Sequence, residues 1–269
     1  MAELFEFTQG SAPLLVSIPH DGTEVPADLL ARMTPEGSNL PDTDFHVSRL
    51  YSFLDDLGAS RIVARVSRYV VDLNRDPTGT SLYPGADTTG LCPTTTFDRQ
   101  EIYRPGQQPS ADEVQQRVSE FFVPYHLRLQ EELERLVARH HCAVLFDAHS
   151  IRSRVPRFFE GLLPDLNLGT AAGQSADPEV AARAFAVLRD NDAGYSAVRD
   201  GRFQGGYITR HYGAPSRGIS ALQLELSQKN YMVETPPFEF SEERADRLRP
   251  TLRHLLQVCR QWAEQRAGS

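Results

Sequence analysis

The sequence predicts an α/β fold: a single three-layer α/β/α domain with a mixed sheet. Three observations carry this. Short apolar runs of strand length alternate along the chain with amphipathic segments of helical period. The chain of 269 residues contains no Gly/Ser/Pro-rich linker, repeat or low-complexity tract, so one domain spanning 1–269 is expected. Its 40% hydrophobic and 24% charged residues are enough to build a full core.

Taken in order, LLVSIP (14–19) reads as the first strand. Asp44 opens a helix with apolar residues at Val47, Leu50, Tyr51 and Leu54, and Gly58 ends it. RIVARV (61–66) and YVVDL (69–73) read as two strands joined tightly at Ser67-Arg68. Residues 76–110 hold most of the Gly, Pro and Thr clusters and show no sustained period. A loop of that length inside a domain is usually a binding loop or lid. Ser110 with Glu113 forms a capping box for a long helix carrying Val114, Val118, Phe121, Tyr125, Leu129 and Leu133 on one face, with a kink expected at Pro124. AVLFD (143–147) returns to strand.

Asp177-Pro178-Glu179 starts a helix that runs to about Arg189. Gly205–Arg210 leads into another loop, and ALQLEL (221–226) alternates as a strand. Its leucines face a core, which puts Gln223 and Glu225 together on the other face. A last helix from Ser241 turns Leu248, Leu252, Leu255, Cys259 and Trp262 inward, with a bend expected at Pro250.

Composition narrows the function. A net charge of −8 disfavours a nucleic-acid partner, which needs clustered Lys and Arg. There is no apolar run near twenty residues and no signal-peptide pattern, so a cytoplasmic protein without membrane attachment is expected. Cys92, Cys142 and Cys259 are odd in number and widely spaced, which suits a reducing compartment and argues against a disulfide framework. Lys229 is the only lysine, so anion recognition here is guanidinium chemistry, suited to carboxylates. Oligomeric state is left open. Signatures for nucleotide phosphates, the GxSxG elbow and HExxH are all missing.

Two histidines carry the chemical reading. His20 and His149 each follow directly on an apolar strand run, where chain ends in an α/β sheet converge. A lone histidine there more often closes a turn, but two in the same position on different strands point to a metal. Asp147 shares a strand side with His149 and could orient its ring, or simply close an Asx-turn. A catalytic zinc site wants a third ligand, and Glu24, Asp42, Asp44 and His46 are the candidates. Asp44 is preferred because it lies where a helix begins beside the first strand, although either aspartate could instead be the helix N-cap. Glu225, in an otherwise apolar strand, is the candidate general base, with a half-exposed surface residue as the plainer alternative. Arg68, Asn74, Arg75 and Arg210 are candidates for gripping an anionic substrate, though isolated arginines more often form surface ion pairs.

Six segments in order then resemble one family: Ser17–Gly22 (SIPHDG), Asp42–Tyr51 (DTDFHVSRLY), Ser67–Arg75 (SRYVVDLNR), Asp147–Ser150 (DAHS), Gly205–Gly213 (GGYITRHYG) and Leu222–Gln228 (LQLELSQ). Together with LPDLNLGT (163–170) they are similar to the N-formylglutamate amidohydrolase, or deformylase, family over about residues 14–232. The resemblance implies a zinc carboxypeptidase-like (phosphorylase/hydrolase-like) architecture shared with desuccinylases and aspartoacylases. It implies hydrolysis of N-formyl-L-glutamate to L-glutamate and formate in histidine degradation, with one Zn²⁺ or another divalent metal. It also implies that His20 and His149 are ligands, that Glu225 is the base, and that Asn74-Arg75 clamps a carboxylate of a small dicarboxylate substrate. The carboxypeptidases place a Glu three residues after the first His, where this chain has Thr23, so Asp44 is assigned as third ligand by inference. The alternatives are a related N-acyl amino acid deacylase and a non-catalytic protein that binds acidic amino acids.

Overall fold

The computed structural model describes residues 3–80, 85 and 87–267. Its centre is a mixed sheet of seven strands: β1 (Phe5–Thr8), β2 (Leu14–Ile18), β3 (Ser60–Ala64), β4 (Ala143–Ile151), β5 (Leu166–Gly169), β6 (Ala197–Arg199) and β7 (Ile219–Ser227). They lie in the order β1-β3-β2-β4-β7-β5-β6. The run β3-β2-β4-β7 is parallel, β1 joins β3 antiparallel, and β5 joins β7 antiparallel with β6 parallel beside it.

The helices are α1 (Ala27–Leu30), α2 (Pro35–Ser38), α3 (Val47–Leu50), α4 (Ala111–Arg117), α5 (Val123–His140), α6 (Pro178–Arg189), α7 (Tyr207–Tyr212) and α8 (Glu242–Ala267). Alternation along the central strands decides which helix covers which face. Leu14, Val16 and Ile18 of β2, Val144, Phe146 and Ala148 of β4, and Leu222, Leu224 and Leu226 of β7 share one core with α3, α6 and α8. Leu15, Leu145 and Ala221 face the other way and pack with Leu129, Leu133 and Leu136 of α5 and Ile208 of α7. The result is the expected three layers.

Several elements follow the sequence closely. Asp177 caps α6 through the backbone N–H of Glu179 at 2.9 Å. Leu248, Leu252, Leu255, Cys259 and Trp262 of α8 are buried, and that helix runs on through Pro250. Ser110 caps α4 by accepting from Glu113 N at 3.2 Å, but the Glu113 carboxylate pairs with Arg32 and Arg117, so only half of the capping box forms. The kink expected at Pro124 takes the form of a π-helical turn, Val118–Phe122, immediately before α5. Proline has no N–H to give the ladder, and the wider turn absorbs the gap.

Other expectations need correction. The strand expected over 69–73 does not form; the segment is a series of turns. The helix expected from Asp44 is the single short α3, entered through His46 at φ 65° and followed by a 3₁₀ turn, Leu54–Leu57, that closes on Gly58 at φ 60°. Val47, Leu50, Tyr51 and Leu54 are nonetheless all buried, so the apolar spacing is served by successive tight turns. Segment 205–210, expected to lead into a loop, instead enters α7, which runs on to Tyr212. Of the long segment 76–110, residues 81–84 and 86 lie outside the described residues, and the expectation of a lid falls partly on them. Its described part forms isolated bridges, Met33 to Tyr103 and Thr95 to Glu101.

Candidate active site

The face of the sheet beneath α5 changes character along the strands. Apolar Leu15, Leu145 and Ala221 give way, toward the C-terminal ends, to Ser17, Asp147, His149, Gln223 and Glu225. In register, Ser17 lies beside Asp147, Asp147 beside Gln223, and His149 beside Glu225. Alternation thus sends the polar side chains of three neighbouring strands into one buried pocket at the parallel strand ends, where α/β sheets bind ligands.

His20 turns into this pocket just beyond β2, and its carbonyl accepts the backbone N–H of Asp44 at 3.0 Å. That bond delivers the Asp44 carboxylate to both histidines: Oδ2 lies 3.1 Å from His149 Nδ1 and 3.7 Å from His20 Nδ1. One ligand atom from each of the three residues falls within 4.8 Å of the others, and all three residues are buried. Each ring's remaining nitrogen is held by its own carboxylate. His20 Nε2 lies 2.7 Å from Asp72 Oδ1, and His149 Nε2 lies 2.9 Å from Asp147 Oδ2. A carboxylate behind each ring favours a protonated Nε2 and turns Nδ1 toward the other ligand atoms, with Asn74 Nδ2 also lying 2.8 Å from His149 Nε2. Ser150 N–H and Arg68 pin the Asp44 carboxylate at 3.0 and 3.3 Å.

The other candidate ligands are occupied elsewhere. Asp42 accepts from Tyr69 Oη at 2.6 Å and Phe97 N at 2.8 Å, Glu24 pairs with Arg65 at 2.9 Å, and His46 Nε2 meets the carbonyl of Phe238 at 2.8 Å. Neither Asp42 nor Asp44 caps α3. The Asp21 carboxylate does so, accepting from Val47 N and Ser48 N at 3.2 Å each.

Acidic side chains crowd the candidate ligands. The carboxyl groups of Asp44, Asp72, Asp147 and Glu225 and the buried guanidinium of Arg68 surround the two imidazoles. The ionisation equilibria answer that crowding. Burial works against a charged His149, but Asp147 and Asp44 hold its pKa well above the usual value. Burial likewise works against ionised Asp44 and Asp72. Hydrogen bonds from His149 and His20 outweigh it for Asp44, and the charges of His20 and Arg68 outweigh it for Asp72, so both stay below the carboxylate range. Glu225, whose carboxyl group accepts from Gln223 Nε2 at 3.1 Å, is pushed up to about 8 by burial. Two imidazoles and one carboxylate within reach of one another, with a carboxylate behind each ring, together fit a divalent cation.

The cavity opening onto this cluster is lined by Arg68, Asn74, Arg75, Thr88, Phe97, Phe158, Arg202 and Phe203 among others. Arg68 bonds Asp72 at 2.7 Å as well as Asp44, which makes it an internal counter-ion. Asn74 donates to Asp147 Oδ2 at 3.0 Å and accepts from Ile208 N at 2.8 Å, tying the turn at 72–75 to β4 and α7. Arg75 bonds only uncharged acceptors among the described residues: Thr89 O at 3.0 Å, Thr89 Oγ1 at 3.1 Å and Asn74 O at 3.2 Å. Arg210 does not line this cavity; its Nε donates to Gly205 O at 2.8 Å on α7. Sequence reasoning placed Gln223 beside Glu225 on one strand face but missed Asp72 and Arg202. Asp72 sits inside the quoted SRYVVDLNR motif, but its proximity to His20, 52 positions away, exists only in three dimensions.

Known proteins resemble this chain along its whole length. A family model described as N-formylglutamate amidohydrolase matches residues 12–232. The chain is 48% identical over 266 residues to N-formylglutamate deformylase of Pseudomonas aeruginosa and 45% identical to that of Pseudomonas putida, covering 99% of each partner and of itself. The crystal structure of N-formylglutamate amidohydrolase from Ralstonia eutropha superposes with a TM-score of 0.78 at 26% identity, over 98% of this chain and 99% of that one. A gene product of Agrobacterium tumefaciens shares the fold, with a TM-score of 0.72 at 18% identity over 96% and 95% of the two chains. No helix among the described residues is long and apolar enough to cross a membrane. The chain therefore belongs to the N-formylglutamate amidohydrolase family and is an amidohydrolase.

Proposed function

We propose that the chain hydrolyses the formamide of N-formyl-L-glutamate to L-glutamate and formate, with one Zn²⁺ held by His20, Asp44 and His149. The observation that carries this reading is the buried His-Asp-His cluster with a carboxylate behind each ring and Glu225 on the adjacent strand. When bound, such an ion lets water act as a nucleophile at neutral pH and stabilises negative charge developing on the amide oxygen.

The residues of the chain do the remaining work. Glu225 takes a proton from the attacking water as its oxygen bonds to the formyl carbon. The same carboxyl group returns the proton to the amide nitrogen as the C–N bond breaks, so that glutamate leaves as the amine and formate as the acid fragment. A pKa lifted by burial suits a group that must both accept and give up a proton near neutrality. Asp72 and Asp147 keep the two imidazoles in one orientation, and Arg75, whose hydrogen bonds among the described residues go to uncharged acceptors, offers its guanidinium to a substrate carboxylate.

Hydrolysis of N-formyl-, N-acetyl- and N-succinyl-L-glutamate, each compared as kcat/KM of glutamate formation, tests the proposal. Preference for the formyl substrate is the expected result. Faster turnover of either larger acyl group would assign the chain a different deacylation, and no turnover of any would make it a binding protein.

A further inference from the structure

We propose that Arg202 selects the substrate by its side-chain carboxylate, the charge most distant from the scissile formamide; this rests on the reaction proposed above. A glutamyl substrate carries two carboxylates in different places. One is on the carbon that bears the formamide nitrogen, and the other is at the end of the side chain.

The cavity offers arginines in two corresponding places. Arg75 follows directly on Asn74, whose amide touches Asp147 behind His149, so it belongs to the metal end. Arg202 lines the same cavity but comes from the segment after β6, away from the ligand-bearing strands. Its Nε donates to Phe158 O at 2.6 Å, and its guanidinium carbon lies 5.8 and 5.5 Å from the Phe158 and Phe203 ring centres. A half-buried guanidinium fixed at Nε and set beside aromatic rings is a pre-oriented fork for a carboxylate, and it discriminates against a neutral isostere.

Of the other charged groups on the lining, Asp87 pairs with Arg157 at 2.9 Å and Arg99 at 2.7 Å, and Arg68 pairs with Asp44 and Asp72.

The test compares N-formyl-L-glutamate with N-formyl-L-glutamine, which has the same shape but no side-chain charge. The unaltered zinc-loaded protein is expected to prefer the glutamate by about 10- to 100-fold in kcat/KM, the range for a hydrogen bond to a charged group. Arg202→Gln should abolish the preference by lowering turnover of the glutamate while leaving that of the glutamine nearly unchanged. Arg202→Lys should restore part of it. Arg75→Met should lower both substrates together. Equal loss on both substrates in Arg202→Gln, or retained preference, would overturn the assignment. Failure of the unaltered protein to turn over N-formyl-L-glutamate would instead overturn the proposed reaction, and the role of Arg202 with it.

Discussion

Replacing Asp72 by asparagine probes the support behind the proposed metal site. Asp72 Oδ1 meets His20 Nε2 at 2.7 Å and accepts the backbone N–H of Asn74 at 2.9 Å, while Oδ2 accepts Arg68 at 2.7 Å. Asparagine has only one acceptor oxygen. Whichever way its amide turns, an NH₂ group faces a donor, either Arg68 or the His20 and Asn74 pair. Asp147 offers a matched contrast. Its Oδ2 takes His149 and Asn74, but its Oδ1 meets only the hydroxyl of Ser17 at 3.0 Å, which can accept as well as donate. Carboxylates behind metal-binding histidines are typically worth 10–100-fold in affinity or activity. Asp147→Asn should therefore weaken zinc binding by about tenfold, and Asp72→Asn by about 100-fold, or roughly 2.8 kcal/mol at about 1.4 kcal/mol per decade. Competition against a chromogenic chelator at fixed neutral pH reads both. Unchanged affinity in Asp72→Asn, or a larger loss in Asp147→Asn, would refute the reasoning.

Other substitutions separate the remaining roles. Glu225→Gln should keep the bound metal yet slow formate release by about 10²–10⁴-fold. Because the base must be unprotonated, kcat/KM of the unaltered protein should rise with pH. Burial pushes Glu225 up to about 8, and a bound dication favours the carboxylate, so the limb should fall below that value; an activity that declines as pH rises through neutrality would contradict the assignment. Arg75→Met should raise KM more than it lowers kcat, by about 1.5–3 kcal/mol of lost carboxylate binding, whereas a pure kcat effect would place Arg75 elsewhere in the cycle. At Gly206 a Cβ would lie 2.4 Å from Asn74 Nδ2, so Gly206→Ala should displace the asparagine that ties the 72–75 turn to α7. A cost of about 1–3 kcal/mol is expected by urea denaturation, and an unchanged midpoint would show that the contact relaxes freely.

Much of the site was legible because it is built on the central strands. A strand's period of two fixes which side chains share a face, so His149 with Asp147 and Glu225 with Gln223 could be paired from sequence. The turn at 67–75 misled for a physical reason. Val70 packs with Tyr69, Ile102 and Tyr103, while Val71 and Leu73 enter the core beneath α5, so the segment is apolar on two sides as a buried strand is. Its backbone is satisfied by loops and side chains: Asp72 N by Leu91 O, Val70 O by Arg117 and Leu73 O by His126. No local pattern encodes partners so distant in sequence. The same holds for Arg68, whose two carboxylates show it to be an internal counter-ion, and for Asp21, which caps α3 from the loop after β2.

The most direct test is a titration of metal-free protein with Zn²⁺ while formate release from N-formyl-L-glutamate is followed. The account predicts negligible activity without metal and a linear rise that breaks at one equivalent, with both the rise and the tight binding lost when His20 or His149 is replaced by alanine. Full turnover by protein stripped of metal, or activity in His149→Ala equal to that of the unaltered chain, would contradict it.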